Sequence, residues 1–267
     1  MTTITILRAG PLTTLQDEGR FGVLKHGISA SGPMDRTAFM AAGAALQRVG
    51  STAIEFTQGL AFETDGPLTV AWPEVHSLQA GDKLKIPAAA GNYGYLRFDR
   101  EIHIPLVLGS RSTNLTVGLG GYKGRALKPG DRIEMGAEGV ALVTTTPTSG
   151  DGPIRCIWGL HAHLFETRLR RSFAETTFRI STGLDRMGVR LEDPSGLFHD
   201  QRRLNLVSDA IVPGDIQILG DGTPIVLMRD HQPTGGYPRV ATVISADLDR
   251  FAQLPPGTEL SFQPVAP

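Results

Sequence analysis

One short pattern recurs four times and limits the fold more than any other feature. Gly81-Asp-Lys-Leu-Lys-Ile, Gly130-Asp-Arg-Ile-Glu-Met, Gly214-Asp-Ile-Gln-Ile and Gly257-Thr-Glu-Leu-Ser-Phe share one grammar. Proline precedes three of these glycines, and Ala80 precedes Gly81. Each reads as a tight turn feeding an alternating, half-buried strand. Two copies fall in each half of the chain, which points to two β-barrel-like halves of related build. The 32 glycines and 18 prolines are aperiodic and separated by apolar runs, as expected for many turns and short strands. The fold class expected is mainly β with a few helices.

Residues 2–8 alternate polar and apolar and read as a first strand. Met34 to Val49 reads as a helix, with Phe39, Ala42, Leu46 and Val49 on one face. Residues 163–174 and 246–254 read as two further helices. The stretch 144–153, Thr-Thr-Thr-Pro-Thr-Ser-Gly-Asp-Gly-Pro, has the composition of a linker. It divides the chain into halves 1–145 and 154–267.

Lys plus Arg number 26 and Asp plus Glu 27, a net charge of -1, which argues against a general nucleic-acid binder. Cys156 stands alone, so no intrachain disulfide forms and a reducing, cytoplasmic setting fits. The N-terminus lacks the pattern of a signal peptide. No apolar run approaches the ~20 residues that span a bilayer. A nucleophile elbow, a zinc-protease helix motif, a Rossmann fingerprint and a Walker lysine-hydroxyl pair are all missing.

Four stretches carry enough chemistry to build a site. Asp230-His-Gln-Pro-Thr-Gly-Gly-Tyr-Pro238 lies between two apolar runs, 224–228 and 240–244, that read as buried strands. Its Gly235-Gly236 pair permits positive φ, and Pro233 and Pro238 stiffen it. Residues 15–35 carry Asp17, Arg20, His26 and Asp35 among glycines, and read equally as a site or a surface loop. Asp35 suits a helix cap as well as a ligand. Arg111, flanked by Ser110, Ser112 and Thr113 after an apolar run, suits carboxylate or phosphate recognition. Gly118 to Gly124 fits close backbone approach or a ligand. His161 and His163 have no clear third partner, so no metal site is expected.

Several segments together resemble one family. These are Thr14-Leu-Gln-Asp-Glu-Gly-Arg20 through Ser31-Gly-Pro-Met-Asp35, Leu108-Gly-Ser-Arg-Ser-Thr through Gly124-Arg-Ala-Leu, Asp185-Arg-Met-Gly-Val-Arg-Leu, and Pro213-Gly-Asp-Ile-Gln through Thr234-Gly-Gly-Tyr-Pro. The chain is similar to the biotin-dependent carboxyltransferase family, also called allophanate hydrolase subunit 2. The resemblance implies two cyclophilin-like β-barrel halves. It implies a non-autonomous component like the C-type subunit of 5-oxoprolinase. Two partners would complete it: a B-type protein, allophanate hydrolase subunit 1-like, and an A-type protein. Their joint reaction opens the lactam of 5-oxoproline to glutamate with ATP hydrolysis, activating the poorly electrophilic amide, for example by phosphorylating its oxygen.

Matching positions then imply roles. Asp35, Asp185 and Asp230 orient a ring N–H or move a proton. Arg111 and Arg186 hold a carboxylate or phosphate. Ser31, Ser112, Gln217, Gln232, Thr234, Gly235, Gly236 and Tyr237 contact the small amide substrate, the glycine backbone binding an oxyanion or ureido oxygen. Two alternatives accompany this reading. One is a carboxyltransferase subunit of a urea or amide carboxylase, with biotin arriving on a separate protein because no Met-Lys-Met acceptor is present. The other is a non-enzymatic regulator that binds a kinase inhibitor of the B-type family. The family usually has a hairpin after the strand near Val70. Here Ala71-Trp-Pro-Glu runs almost directly into Gln79-Ala-Gly-Asp, so that hairpin is expected to be missing.

Overall fold

The four glycine turns have one structure. Gly81, Gly130, Gly214 and Gly257 all take positive φ, from 86° to 94°. The residue after each glycine donates its N–H to the residue two before that glycine: Asp82 to Gln79, Asp131 to Lys128, Asp215 to Val212, Thr258 to Pro255. This is a type II turn, whose third position glycine fills without strain. The three aspartates also accept the N–H of the first turn residue, at 2.8, 2.9 and 3.0 Å. The fourth turn begins at Pro255, which has no N–H to offer, and there threonine replaces aspartate. Each glycine N–H donates to a neighbouring strand, at Thr64, Ile6, Leu227 and Ile180.

The computed structural model describes residues 2–141, 150–201 and 206–266. Most of the expected linker, residues 144–149, lies outside them. The described residues form two compact units, 2–23 with 30–141, and 24–29 with 150–201 and 206–266.

The first unit holds β1 (Thr3–Ala9), β2 (Thr14–Gln16), α1 (Arg36–Ala44), β3 (Ala53–Phe56), β4 (Leu60–Thr64), β5 (Leu68–Trp72), β6 (Glu74–Leu78), β7 (Lys83–Ile86), β8 (Gly94–Phe98), β9 (Arg100–Ile102) and β10 (Arg132–Glu138). Two five-stranded sheets, β7-β4-β1-β10-β9 and β2-β3-β8-β5-β6, enclose one core. Alternation in β1 sends Ile4 and Ile6 inward, each worth roughly 1.5–3 kcal/mol when buried. Phe62 of one sheet meets Phe98 of the other edge to face.

Two expectations change here. The strand at Val70 does have a hairpin: β5 pairs with β6 along its length, from Leu68 opposite Leu78 to Trp72 opposite Glu74, with Pro73 alone at the turn. The helix is shorter than 34–49. Leu46 and Val49 are buried as their spacing implies, but Val49 pairs with Val140 as a bridge, so tertiary strand pairing overrides the helical period.

The second unit holds β11 (Ile154–Trp158), α2 (Thr167–Glu175), β12 (Phe178–Leu184), β13 (Gly188–Glu192), β14 (Asp209–Ala210), β15 (Asp215–Ile218), β16 (Pro224–Leu227), β17 (Thr234–Gly235), β18 (Arg239–Val243), α3 (Ser245–Ala252), β19 (Glu259–Leu260) and β20 (Phe262–Pro264). Its main sheet runs β19-β12-β13-β16-β15-β18-β11-β20. The two end strands are successive pieces of one segment, 259–264, so the sheet comes back on itself as a nearly closed barrel. Phe173 of α2 packs in the core against Phe178, Phe198 and Phe262. Cys156 is buried, and burial pushes its thiol up to about 12, which suits an inert core group. No helix among the described residues is long and apolar enough to cross a membrane.

Candidate functional site

Strand register builds the richer of two candidate sites, in the second unit. On β13, Val189 and Leu191 are buried, so alternation turns Arg190 to the outer face. Arg190 lies opposite Ile225 of β16, and Ile225 lies opposite Gln217 of β15. Arg190, Ile225 and Gln217 therefore form one row across three strands, about 10 Å from end to end at ~4.8 Å per strand. A cavity of about 460 Å³ opens over this row, lined also by Asp185, Gln232 and Tyr237.

The loop 230–238 covers the Gln217 end. Its Thr234 and Gly235 pair as β17 with β14. A Cβ on Gly235 would come within 2.5 Å of Gln217 Nε2, so only glycine lets the ribbon lie there. A Cβ on Gly236 would sit 2.9 Å from the Leu206 carbonyl. Neither glycine has the positive φ expected from the sequence; close approach is what requires them. Gln217 is 1% exposed, and its Nε2 has no hydrogen-bond partner among the described residues. Such a buried donor leaves a desolvation cost of ~1–3 kcal/mol until an acceptor arrives.

Asp185 sits at the turn between β12 and β13, where its Oδ1 accepts the N–H groups of Met187 and Gly188 at 2.7 and 3.1 Å. That fixes the carboxylate beside the cavity. Arg186 and Asp230 face each other instead. Arg186 Nε and Nη2 donate to the two Asp230 oxygens at 2.8 and 3.1 Å, and both residues are buried. The Asp230 N–H also donates to the Arg186 carbonyl at 2.7 Å, so the pair pins the Asp185 turn to the loop after β16. His231 is buried next to it, with Nδ1 2.6 Å from the Gln232 carbonyl, and burial lowers its pKa below the ordinary imidazole value.

The first unit presents the other candidates. Four donors converge on Asp17: the Ser110 and Ser112 hydroxyls at 2.6 Å each, the Arg111 N–H at 2.5 Å and the Gly19 N–H at 3.0 Å. Burial raises the Asp17 pKa, but these four bonds outweigh it and hold the carboxyl below its ordinary value. Arg111 Nε donates to the Ile104 carbonyl, and its Nη1 reaches Ser51 and Glu101 at 3.3 and 3.5 Å. Arg111, Asp17, Ser51 and Arg97 line a cavity of about 370 Å³. Ser31 is buried at φ 58°, with its hydroxyl unpaired among the described residues. Asp35 caps α1 by accepting the Ala38 N–H at 2.8 Å, while its own N–H donates to the Tyr95 hydroxyl, which donates to Glu55. The glycines at 120 and 121 allow close approach: a Cβ on Gly120 would collide with the Ser112 carbonyl and Arg20.

The fold thus gathers Asp185, Gln217, Gln232 and Tyr237 around one cavity, with Thr234, Gly235 and Gly236 in the ribbon above and Arg186–Asp230 behind. Arg111 lines the cavity of the first unit, and Ser112 is committed to Asp17. Two residues escaped the sequence reading. Arg190 follows from alternation, since the quoted motif at 185–191 contains it. Arg97 is 2% exposed and gives its Nη1 and Nη2 to the Phe39 and Gly50 carbonyls; burial pulls its pKa down to about 10. Only tertiary packing reveals it. His161 and His163 lie at a 3-10 turn, where His161 Nδ1 accepts the Arg239 N–H. Among the described residues no group of three His, Cys, Asp or Glu is placed to hold a metal ion.

A model of the carboxyltransferase domain, subdomains A and B, matches residues 59–264. The chain belongs to the carboxyltransferase-domain family. It is 35% identical to the C-type subunit of 5-oxoprolinase from Escherichia coli K12, over 97% of this chain and 90% of that one. The Haemophilus influenzae counterpart, also named as the C-type subunit of 5-oxoprolinase, is 30% identical, over 98% and 91%. Among solved structures, the Kluyveromyces lactis urea carboxylase superposes with a TM-score of 0.85 at 26% identity. This carboxyltransferase-family chain is 99% covered by that match but spans only 27% of the larger protein.

Proposed function

We propose that the chain is the C-type subunit of an ATP-dependent, cytoplasmic 5-oxoprolinase, inactive alone and completed by A-type and B-type partners. What carries this reading is the end-to-end match: 97% of this chain aligns with 90% of a relative that bears that name. Opening 5-oxoproline needs a cation for its carboxylate, a donor for its amide oxygen and an acceptor for its ring N–H. The second unit offers all three chemistries around one cavity, in Arg190, Gln217 and Asp185. The buried Arg186–Asp230 pair acts as a positioning device for the Asp185 turn, and ATP is handled through the complex. The test is to mix the chain with its A-type and B-type partners and follow ADP release. Release stimulated by 5-oxoproline only when all three are present supports the reading; stimulation without this chain contradicts it.

The likeness to urea carboxylase supports a second reading, a carboxyltransferase component served by biotin on another protein. In that case activity requires bicarbonate and a biotinylated partner, and 5-oxoproline has no effect.

A further inference from the structure

We infer that the first unit carries a ligand site of its own, for an organic monocarboxylate with a compact apolar body, in the cavity lined by Arg97 and Arg111. It shares no residue with the cavity of the second unit, and it does not rest on the 5-oxoprolinase reading.

Two guanidinium groups line this cavity together. Arg97 Nη2 donates to the Gly50 carbonyl at 2.9 Å, and Arg111 Nη1 reaches the Ser51 hydroxyl at 3.3 Å, so both cations meet one short segment. Like charges gathered in a cavity carry a cost that an anion relieves. Arg97, on β8, is 2% exposed, and its hydrogen bonds go to the neutral carbonyls of Phe39 and Gly50. Its Nε has no partner among the described residues. The Phe39 ring lies over it, with Cζ 3.9 Å from the centroid. Glu18 and Glu101 favour its charge from a distance, yet burial pulls its pKa down to about 10. A buried cation in these surroundings is completed by a carboxylate.

Arg111 is presented to the cavity by its own turn. Leu108 and Gly109 both take positive φ, 52° and 80°, and Val107 and Ser110 exchange backbone hydrogen bonds across them. This is a two-residue type I′ hairpin, in which leucine is strained. The bonds from Ser110, Arg111 and Ser112 to Asp17 hold the turn in place. Arg111 Nε is tied to the Ile104 carbonyl, while Nη2 donates to nothing among the described residues and is left for a ligand oxygen.

The other walls choose the ligand class. Phe39, Met40 and Val49 are apolar, and so are Leu106 and Val140, both exposed. Glu18 lines the same cavity, and Glu101 accepts the Ser51 N–H and hydroxyl at 2.7 and 2.9 Å. These acids disfavour a dianion such as phosphate. A carboxylate brings one negative charge, two oxygens for the two guanidinium groups, and carbon for the apolar walls.

Isothermal titration of the full-length chain with hexanoate, acetate, hexanamide and hexyl phosphate tests this. Hexanoate is expected to bind, and acetate at least tenfold more weakly, since each buried methylene is worth about fourfold. Hexanamide, the same body without the charge, is also expected to bind at least tenfold more weakly. Arg111→Gln is expected to weaken hexanoate at least tenfold and leave hexanamide unchanged. Leu106→Asp, at an exposed position, is expected to weaken hexanoate as well. Circular dichroism and a melting temperature like the parent's show that both variants fold. Arg190→Gln, in the second unit, is expected to change none of these affinities. No binding of hexanoate, equal binding by Arg111→Gln or Leu106→Asp, or a loss caused by Arg190→Gln overturns the site. Hexyl phosphate bound more tightly than hexanoate, or acetate bound as tightly, overturns the assignment to an apolar monocarboxylate. Failure of 5-oxoproline to stimulate ADP release by the mixed subunits rejects the 5-oxoprolinase reading and leaves this site standing.

Discussion

Four hydrogen bonds on one carboxylate make Asp17 sensitive to acid. Its folded pKa is depressed, so its contribution to stability is complete above the unfolded value of about 3.9 and is lost as pH falls through the lower folded value. His231 behaves with the same sign at higher pH. Burial depresses its pKa, so the neutral form is favoured in the fold, and stability declines as pH drops below about 6.5. Urea unfolding measured from pH 7.5 to 5 should show a loss that His231→Asn reduces, the remainder coming from groups such as His161, whose pKa burial also lowers. Asp35 gives a cleaner separation of roles. As an N-cap it tolerates asparagine, whereas alanine costs about 1 kcal/mol. If Asp35→Asn keeps stability but removes activity in the reconstituted complex, the carboxylate has a chemical role beyond the cap.

At the scale of elements, the type II corners and the β14–β17 ribbon are the parts most open to test. Gly130→Ala places a Cβ at φ 89° with open space around it, so strain alone is expected to cost about 1 kcal/mol. Gly235→Ala meets Gln217 Nε2 instead and is expected to displace the ribbon and weaken ligand binding more than it lowers the melting temperature. The corners were legible in the sequence because glycine, aspartate and proline each have a local reason to be there. The strands bounding 230–238 were legible as apolar runs. The end of α1 was not, since the pairing of Val49 with Val140 is decided by residues far apart in sequence. The hairpin at Pro73 was missed for a related reason: β6 is largely exposed and carries no apolar alternation to announce it.

For the molecule as a whole, each unit repeats the same corner around its own core, and the second closes its sheet with one terminal segment. The motif at 185–191 was visible from the start, but which of its arginines faces outward depends on register. Arg186 is buried against Asp230, whereas Arg190 lies in a row with Gln217. That assignment carries the functional account. A charge-assisted bond of about 1.5–3 kcal/mol corresponds to roughly ten- to a hundredfold in affinity. The decisive measurement is the 5-oxoproline dependence of ATP hydrolysis by the complex reconstituted with Arg190→Gln. The account predicts a KM for 5-oxoproline at least tenfold above that of the parent complex; a KM equal to the parent's would contradict it.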